Sequence, residues 1–356
     1  MDFNLRRERL VARLTDLDVD AFLITRLPNV RYLTGFSGSN GQLLLSADGG
    51  VFFTDGRYTE QARHEVPDLK RATYQADFPG AFGQACRDAR VKRVGFEAAG
   101  VTYRLFQQLS AADGIDLTPI GEEVEHLRWT KDSDEIRLIE EAQAITDEAF
   151  GRILPKLSEG VTEKEVALEL EWSMRQAGAD GVAFDSIVAF GENAAEPHHH
   201  PTDRALRPGD VVKMDFGALR SGYHSDMTRT VAFGDIPSGL IEIYDVVRRA
   251  HRAGVEAVRS GVIGAEADRA SREVVAEAGF GDRFSHSLGH GVGLEIHEGP
   301  TLRSTSEDVL PEGAVVTVEP GVYVPGLGGV RIEDMVEVTA DGCRVLTGAP
   351  KDLTVL

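Results

Sequence analysis

The sequence predicts two folded units in succession, an α/β domain over residues 1–128 and an α+β domain over residues 129–356. Three observations predict them. Strand and helix signals alternate through the first third of the chain. Gly114, Pro119 and Gly121 then interrupt the periodicity at about 113–131. Beyond that point two capped helices give way to short, glycine-rich strands. A length of 356 residues also fits two domains better than one.

In the first unit, Leu5, Leu10, Val11 and Leu14 form one helical stripe among arginines over residues 4–16. Val19–Ile24, Gln42–Ser46, Val51–Thr54 and Val91–Glu97 read as strands, with helical stretches at about 57–65 and 101–112. Arg31–Gly41, with Gly35, Gly38 and Gly41, reads as a mobile loop. In the second unit, Asp132 with Glu135 forms a capping box ahead of Ile136, Ile139, Ala142, Ile145, Ala149 and Ile153. A second box, Thr162 with Glu165, opens a helix that runs to about Gly178. Two alternating runs, Asp210–Leu219 and His224–Phe233, flank Arg220-Ser-Gly-Tyr223, a hairpin turn signal. Helices follow at about 237–260 and 264–278, then short strands from Ser285 to Val338. Glycine, 38 of 356 residues, exceeds the ~7% norm, and the excess gathers in this last stretch.

Composition narrows the function. With 38 Lys plus Arg against 58 Asp plus Glu, the net charge is −20. That excludes a protein that tracks nucleic-acid phosphates and disfavours an anionic membrane surface. Cys86 and Cys343 are far apart, so neither a disulfide framework nor a cysteine-rich zinc site is expected, and a reducing compartment fits. Charged residues run through Met1–Ile24, and no stretch approaches the ~18 apolar residues of a membrane span. The expected location is the cytoplasm.

Four groups of residues could carry chemistry. Asp215 and Asp226 are separated by ten residues, at similar distances from the hairpin turn, so alternation sets them nearly opposite. Such a pair needs an offsetting charge, for which Lys213 and Arg229 are the ordinary candidates. His286, His290 and His297 fall within twelve residues, and Gly289, Gly291 and Gly293 favour an open strand there over a helix. Glu319 and Glu333 lie within or at the end of apolar strands, where a charge requires a partner. For Glu333 that partner could be Arg331, two residues away on the same face. His198-His199-His200 completes the set. Taken one at a time, these are more often surface or satisfied core residues than ligands. Together, Asp215, Asp226, Glu319 and Glu333 with His290 offer four carboxylates and one imidazole. Such oxygen-rich ligation suits two divalent ions, Mn, Co, Zn or Fe.

The order and spacing of these five residues resemble the pita-bread metallopeptidases. Gly289-His-Gly-Val-Gly-Leu-Glu-Ile-His-Glu298, Glu319-Pro-Gly-Val-Tyr323 and Gly328-Gly-Val-Arg-Ile-Glu-Asp334 are similar to Xaa-Pro dipeptidase (prolidase) and aminopeptidase P. Arg31-Tyr-Leu-Thr-Gly-Phe-Ser-Gly38 and Asp55-Gly-Arg-Tyr58 resemble the creatinase-like N-terminal domain of that family. The resemblance implies a creatinase-like domain over 1–128 and a pita-bread catalytic domain over 129–356. It implies hydrolysis of the Xaa-Pro bond by a metal-bridging hydroxide. Asp215 would hold the first ion, Asp226 and Glu333 would bridge both, and His290 and Glu319 would hold the second. Glu319 would also shuttle the proton, His297 would stabilise the tetrahedral intermediate, and His198 would contact substrate. His286, Arg331 and Tyr323 would stand beside the substrate, the last two also fixing carboxylates. The family further implies a homodimer in which Arg31–Gly41 reaches towards the partner's active site, its Tyr32 and Phe36 helping to exclude water from a bound peptide.

One departure bears on specificity. After His297-Glu-Gly-Pro300, where many prolidases carry an arginine for the dipeptide carboxylate, this chain has Thr301, with Arg303 two residues on. Aminopeptidase P, acting on longer peptides, is therefore the close alternative. Methionine aminopeptidase lacks the extra first domain, and creatinase lacks the metal set. A pita-bread binding protein that has lost its ligands is the alternative outside the enzymes.

Overall fold

In the computed structural model, which describes residues 1–356, the chain divides into the units Met1–Arg128 and Trp129–Leu356. The first unit is built on one mixed sheet, in the order Lys70–Tyr74, Gly49–Asp55, Gln42–Ser46, Ala21–Ile24, Arg93–Glu97, Asp116–Ile120. Its central strand, Ala21–Ile24, runs antiparallel to Gln42–Ser46 and parallel to Arg93–Glu97, and all four of its residues are buried. Pro119, read from sequence as an interruption, lies in the edge strand, where a missing N–H is tolerated.

Two expectations for this unit fail, for one linked reason. The first helix is Phe3–Val11, with Leu5 exposed while Arg6 and Arg7 are buried. These arginines donate to Tyr32 O (3.1 Å) and Leu33 O (3.0 Å), carbonyls at the C-terminal end of a second helix, Leu27–Thr34. Arg31–Thr34 is thus the last turn of that helix, closed by Gly35 in the left-handed region (φ 80°), rather than a mobile loop. Tyr32 and Phe36 are 2% and 1% exposed, with Phe36 against Phe52 and Tyr58, so neither is available to cover a peptide.

The second unit pairs helices with sheets twice. Ser133–Ile153 and Glu163–Gln176, both opened by the capping boxes read from sequence, pack against Ile187–Phe190, Asp210–Phe216 and Met227–Phe233. Phe150, Leu170 and Met174 meet Val188, Phe190, Val212 and Met214 there. Ser238–Ala257 and Gly264–Glu277 cover a five-stranded sheet, ordered Glu298–Leu302, Gly289–Gly291, Val315–Val318, Asp334–Val338, Cys343–Val345, and the pair Gly321–Val324 with Gly328–Arg331. Val247, Ala250 and Val275 pack on Val316, Val318 and Val336 in that second core.

The predicted hairpin is interrupted. Ala218–Arg220 and Tyr223–His224 form a short hairpin of their own, turning at Ser221 (φ 49°) and Gly222 (φ 83°). At Gly217 a Cβ would sit 1.9 Å from Ser225 O, so the backbones crowd there and the long ladder breaks. Asp215 consequently pairs with Thr228 and not with Asp226, which lies just outside the strand.

Candidate metal centre

Strand alternation builds half of the site. In the sheet Ile187–Phe190, Asp210–Phe216, Met227–Phe233, one face sends Val212, Met214 and Phe216 into the helical core. The other carries the rows Ile187, Asp215, Thr228 and Ala189, Lys213, Thr230. The second half comes from His290 in Gly289–Gly291, Glu319 just after Val315–Val318, and Glu333 just before Asp334–Val338. A Cβ at Gly289 would meet Thr317 O at 1.9 Å, and one at Gly291 would meet Gly299 O at 2.1 Å. Only glycine lets this strand run so close to its neighbours and hold His290 at the site. All five side chains line one cavity of 540 Å³, with His198, His200, His286, His297 and Arg331, and with Phe184, Ile187 and Ile296 as apolar wall.

Donor chemistry shows what the cavity fits. Ligand atoms of Asp226, His290 and Glu333 all lie within 4.8 Å of one another. His290 Nδ1 faces Gly291 O at 3.1 Å and so carries the proton. Its Nε2 lone pair then points at carboxylate oxygens, Glu319 Oε1 at 3.4 Å and Asp226 Oδ2 at 3.6 Å. Burial, helped by His297, pushes the His290 pKa down to about 4, so the ring is neutral at pH 7. An imidazole nitrogen and carboxyl oxygens thus converge on one space, a donor set that suits a cation. Asp215 Oδ1, moreover, is buried without a hydrogen-bond partner.

The charges agree. Five carboxylates line the cavity, the four candidate ligands and the exposed Asp185, and the guanidinium among its lining residues, Arg331, is bound to Asp215 through Nη2. Burial, with the charge of Asp215, raises Glu319 to about 8. Asp226 and Glu333 stand well above the ordinary carboxylate range, through burial first and then their acidic neighbours. The residues present fit divalent cations.

Several placements differ from expectation. Arg331 pairs with Asp215 and not with Glu333, and its other donors reach Thr228 Oγ1 (2.9 Å), Tyr323 Oη (2.9 Å) and Pro197 O (3.2 Å). Glu333 instead accepts from Thr228 Oγ1 at 2.8 Å. Tyr323 is 5% exposed and does not line the cavity; its hydroxyl ties Arg331 to His286 Nε2 (2.8 Å). His286 lines the cavity with its other nitrogen on Ser287 O at 2.8 Å. Arg229 turns to Asp334 (2.7 Å), and Lys213 to backbone carbonyls, so neither offsets Asp215 or Asp226 directly. Thr301 is held by Asp308 Oδ2 at 2.8 Å, and neither it nor Arg303 lines the cavity. His198 is exposed on the cavity wall; His199 also lines the cavity but is buried, held between Glu163 and Glu196. Sequence reasoning passed over Thr228, although its place in Asp226-Met-Thr-Arg-Thr230, in phase with an alternating strand, was a signal.

The first unit holds a larger cavity, 600 Å³, lined by Arg7, Asp68, Lys70 and Asp88 among others. Four of its charges pair with one another, Arg7 with Asp68 and Lys70 with Asp88 at 3.8 Å.

Comparison with known proteins agrees with this geometry. The model for metallopeptidase family M24 matches residues 137–340, and that for the creatinase/prolidase N-terminal domain matches residues 6–130. An uncharacterized peptidase, YqhT, of Bacillus subtilis is 44% identical over 353 residues, covering 99% of this chain and 100% of its own. Among solved structures, the Xaa-Pro dipeptidase from Bacillus anthracis superposes with a TM-score of 0.98 at 39% identity, covering 100% of both chains. The X-Pro aminopeptidase from Thermotoga maritima gives 0.91 at 38% identity, covering 99% of this chain and 100% of that one. The resemblance read from the sequence and its two-part fold class therefore hold. The chain is a metallopeptidase of family M24, carrying a creatinase/prolidase N-terminal domain ahead of a pita-bread catalytic domain.

Proposed function

We propose that this enzyme hydrolyses the Xaa-Pro bond of dipeptides or short peptides at a dinuclear metal centre. The observation that carries the reading is the neutral His290, whose Nε2 faces Glu319 and Asp226 in a cavity that Asp215 and Glu333 also line. Asp215 would hold one ion, His290 and Glu319 the other, and Asp226 and Glu333 both. Two divalent ions there, Mn, Co, Zn or Fe, would supply charge compensation, a water activated for attack and polarisation of the scissile carbonyl.

The protein's own groups do the rest. Glu319, on the cavity wall beside His290, is placed to take the nucleophile's proton and pass it to the leaving proline nitrogen. His297, exposed on the cavity wall, donates to the oxygen that becomes an oxyanion. His198 and His286 orient the peptide, and Phe184, Ile187 and Ile296 offer apolar surface to its side chains. Arg331 and Tyr323 hold Asp215 and His286 in place. The reading includes a cytoplasmic homodimer. Both cysteines are free thiols, as a reducing compartment requires, and no helix is long and apolar enough to cross a membrane.

Relatives of both names match over the full chain, a dipeptidase and an aminopeptidase. One observation favours the aminopeptidase P reading. Arg331 is committed to Asp215, and Arg303 lies off the cavity, so only histidines remain near a dipeptide carboxylate. The test is elemental analysis of protein purified without added metal, with hydrolysis of Ala-Pro, Ala-Pro-Ala and Ala-Pro amide. We expect two ions per subunit, Xaa-Pro cleavage abolished by chelation, and recovery with divalent metal. Undiminished activity in chelated protein, or no cleavage of any Xaa-Pro substrate, would contradict the proposal. Equal cleavage of dipeptide and amide would make it an aminopeptidase P.

A further inference from the structure

His198 reaches the cavity from residues 191–202, a segment whose regular structure is one short 3-10 turn, Gly191–Ala195. A buried carboxylate organises that segment. Glu163, 0% exposed in the first turn of helix Glu163–Gln176, accepts at Oε1 from Phe190 N (2.8 Å) and Asn193 Nδ2 (2.9 Å). At Oε2 it accepts from His199 Nε2 (2.9 Å), Thr202 N (2.9 Å) and Thr202 Oγ1 (2.6 Å). Burial opposes its charge, but the bonds from Thr202, Phe190, His199 and Asn193 outweigh it and hold the carboxyl below its ordinary pKa.

From the other side, Lys213 Nζ meets Glu196 O (2.5 Å), Ala194 O (3.2 Å) and Pro197 O (3.4 Å), and Arg331 Nη1 meets Pro197 O at 3.2 Å. The chain is therefore pinned on both flanks of His198, at Pro197 and at His199, while His198 itself stays exposed to the cavity.

We propose that Glu163 is a positioning residue for the peptidase reaction, setting where His198 stands through His199, Asn193 and Thr202. This rests on the reading of His198 as a substrate contact. Glu163 lies outside the cavity lining, so its effect must pass through the segment it holds. A displacement of ~1 Å at a contact residue can lower a rate by about 10²-fold.

A double-mutant cycle on the full-length, metal-loaded enzyme tests this: Glu163→Gln, His198→Ala and both together, read as kcat/KM on the best-cleaved Xaa-Pro peptide, with metal content. An amide at position 163 cannot accept on both sides, so either the two bonds at Oε1 or the three at Oε2 are lost. We expect Glu163→Gln to lose about 10- to 100-fold with unchanged metal content. In the His198→Ala background the same change should cost less than about 2-fold. His199→Gln, which leaves Glu163 its other donors, should show the same non-additivity and serves if Glu163→Gln fails to fold. Additive losses, or a fully active Glu163→Gln, overturn the inference while leaving His198 its role. A His198→Ala enzyme as active as wild type overturns both.

Discussion

Glu333 and Asp334 are adjacent in the chain and almost completely buried, 1% and 0% exposed, yet their surroundings are opposite. Asp334 meets Arg229 at 2.7 Å, Lys351 at 3.0 Å and His251 at 3.3 Å. Burial works against its charge, but His251, Arg229 and Lys351 prevail and hold it below the ordinary aspartate range. Glu333 receives one hydroxyl, from Thr228, and sits among Glu319, Asp215 and Asp226; its pKa is driven well above the ordinary range. The difference separates two uses of a buried acid. Asp334 fastens the C-terminal segment, since Arg229 also binds Ala349 O (2.8 Å) and Pro350 O (3.0 Å). Glu333 is left for cations from outside the chain.

That contrast can be broken experimentally. The largest effect belongs to Glu333→Gln or Asp226→Asn, which should abolish turnover and lower metal content. Neither should destabilise the chelated protein, because each relieves repulsion among carboxylates. Loss of stability in the chelated variants, together with full metal content in the variants as purified, would assign these acids to the scaffold. Next is Glu319→Gln. An amide can still ligate weakly but cannot take a proton, so turnover should fall by about 10²–10⁴-fold, far more than substrate binding. An unchanged kcat would remove Glu319 from proton transfer. The smallest effect on turnover comes from Asp334→Asn, whose consequence is structural. Removing one partner of a buried ion pair typically costs about 3–5 kcal/mol, here readable in denaturant unfolding with or without metal. A loss seen only in the metal-loaded protein would mean Asp334 serves the site.

What was legible in the sequence was mostly local. The boxes Asp132 with Glu135 and Thr162 with Glu165 are complete within four residues, and both form. Gln42–Ser46 declares itself by its own apolar run. Asp215, Asp226, His290, Glu319 and Glu333 could be singled out because acids in apolar strands and histidines among glycines are locally anomalous, and all five line one cavity. Helix Leu27–Thr34 was missed because its last carbonyls are capped by Arg6 and Arg7, more than twenty residues away. The register of Asp215 was missed because it depends on backbone crowding at Gly217 against Ser225. Nor does local sequence indicate that Glu163 would be satisfied by Phe190, Asn193, His199 and Thr202, or that Arg331 would choose Asp215 over its near neighbour Glu333.

The claim that the fold leaves this cluster for cations is tested most directly by the pH dependence of stability in chelated protein, wild type beside Glu333→Gln. A carboxyl whose pKa is raised on folding keeps its proton where the unfolded chain has lost its own, so stability falls as pH rises towards the folded pKa. Burial holds His286 near 3 and His290 near 4, so their linkage to stability is spent once the unfolded chain passes 6.5. Between about pH 7 and 8, where Glu319 still holds its proton near its pKa of about 8, the crowded carboxyls should dominate the difference. The wild-type midpoint should fall relative to that of Glu333→Gln as pH rises through this window, and Mn²⁺ should raise the wild-type midpoint far more than the variant's. Parallel curves, with no separation on adding metal, would contradict the account.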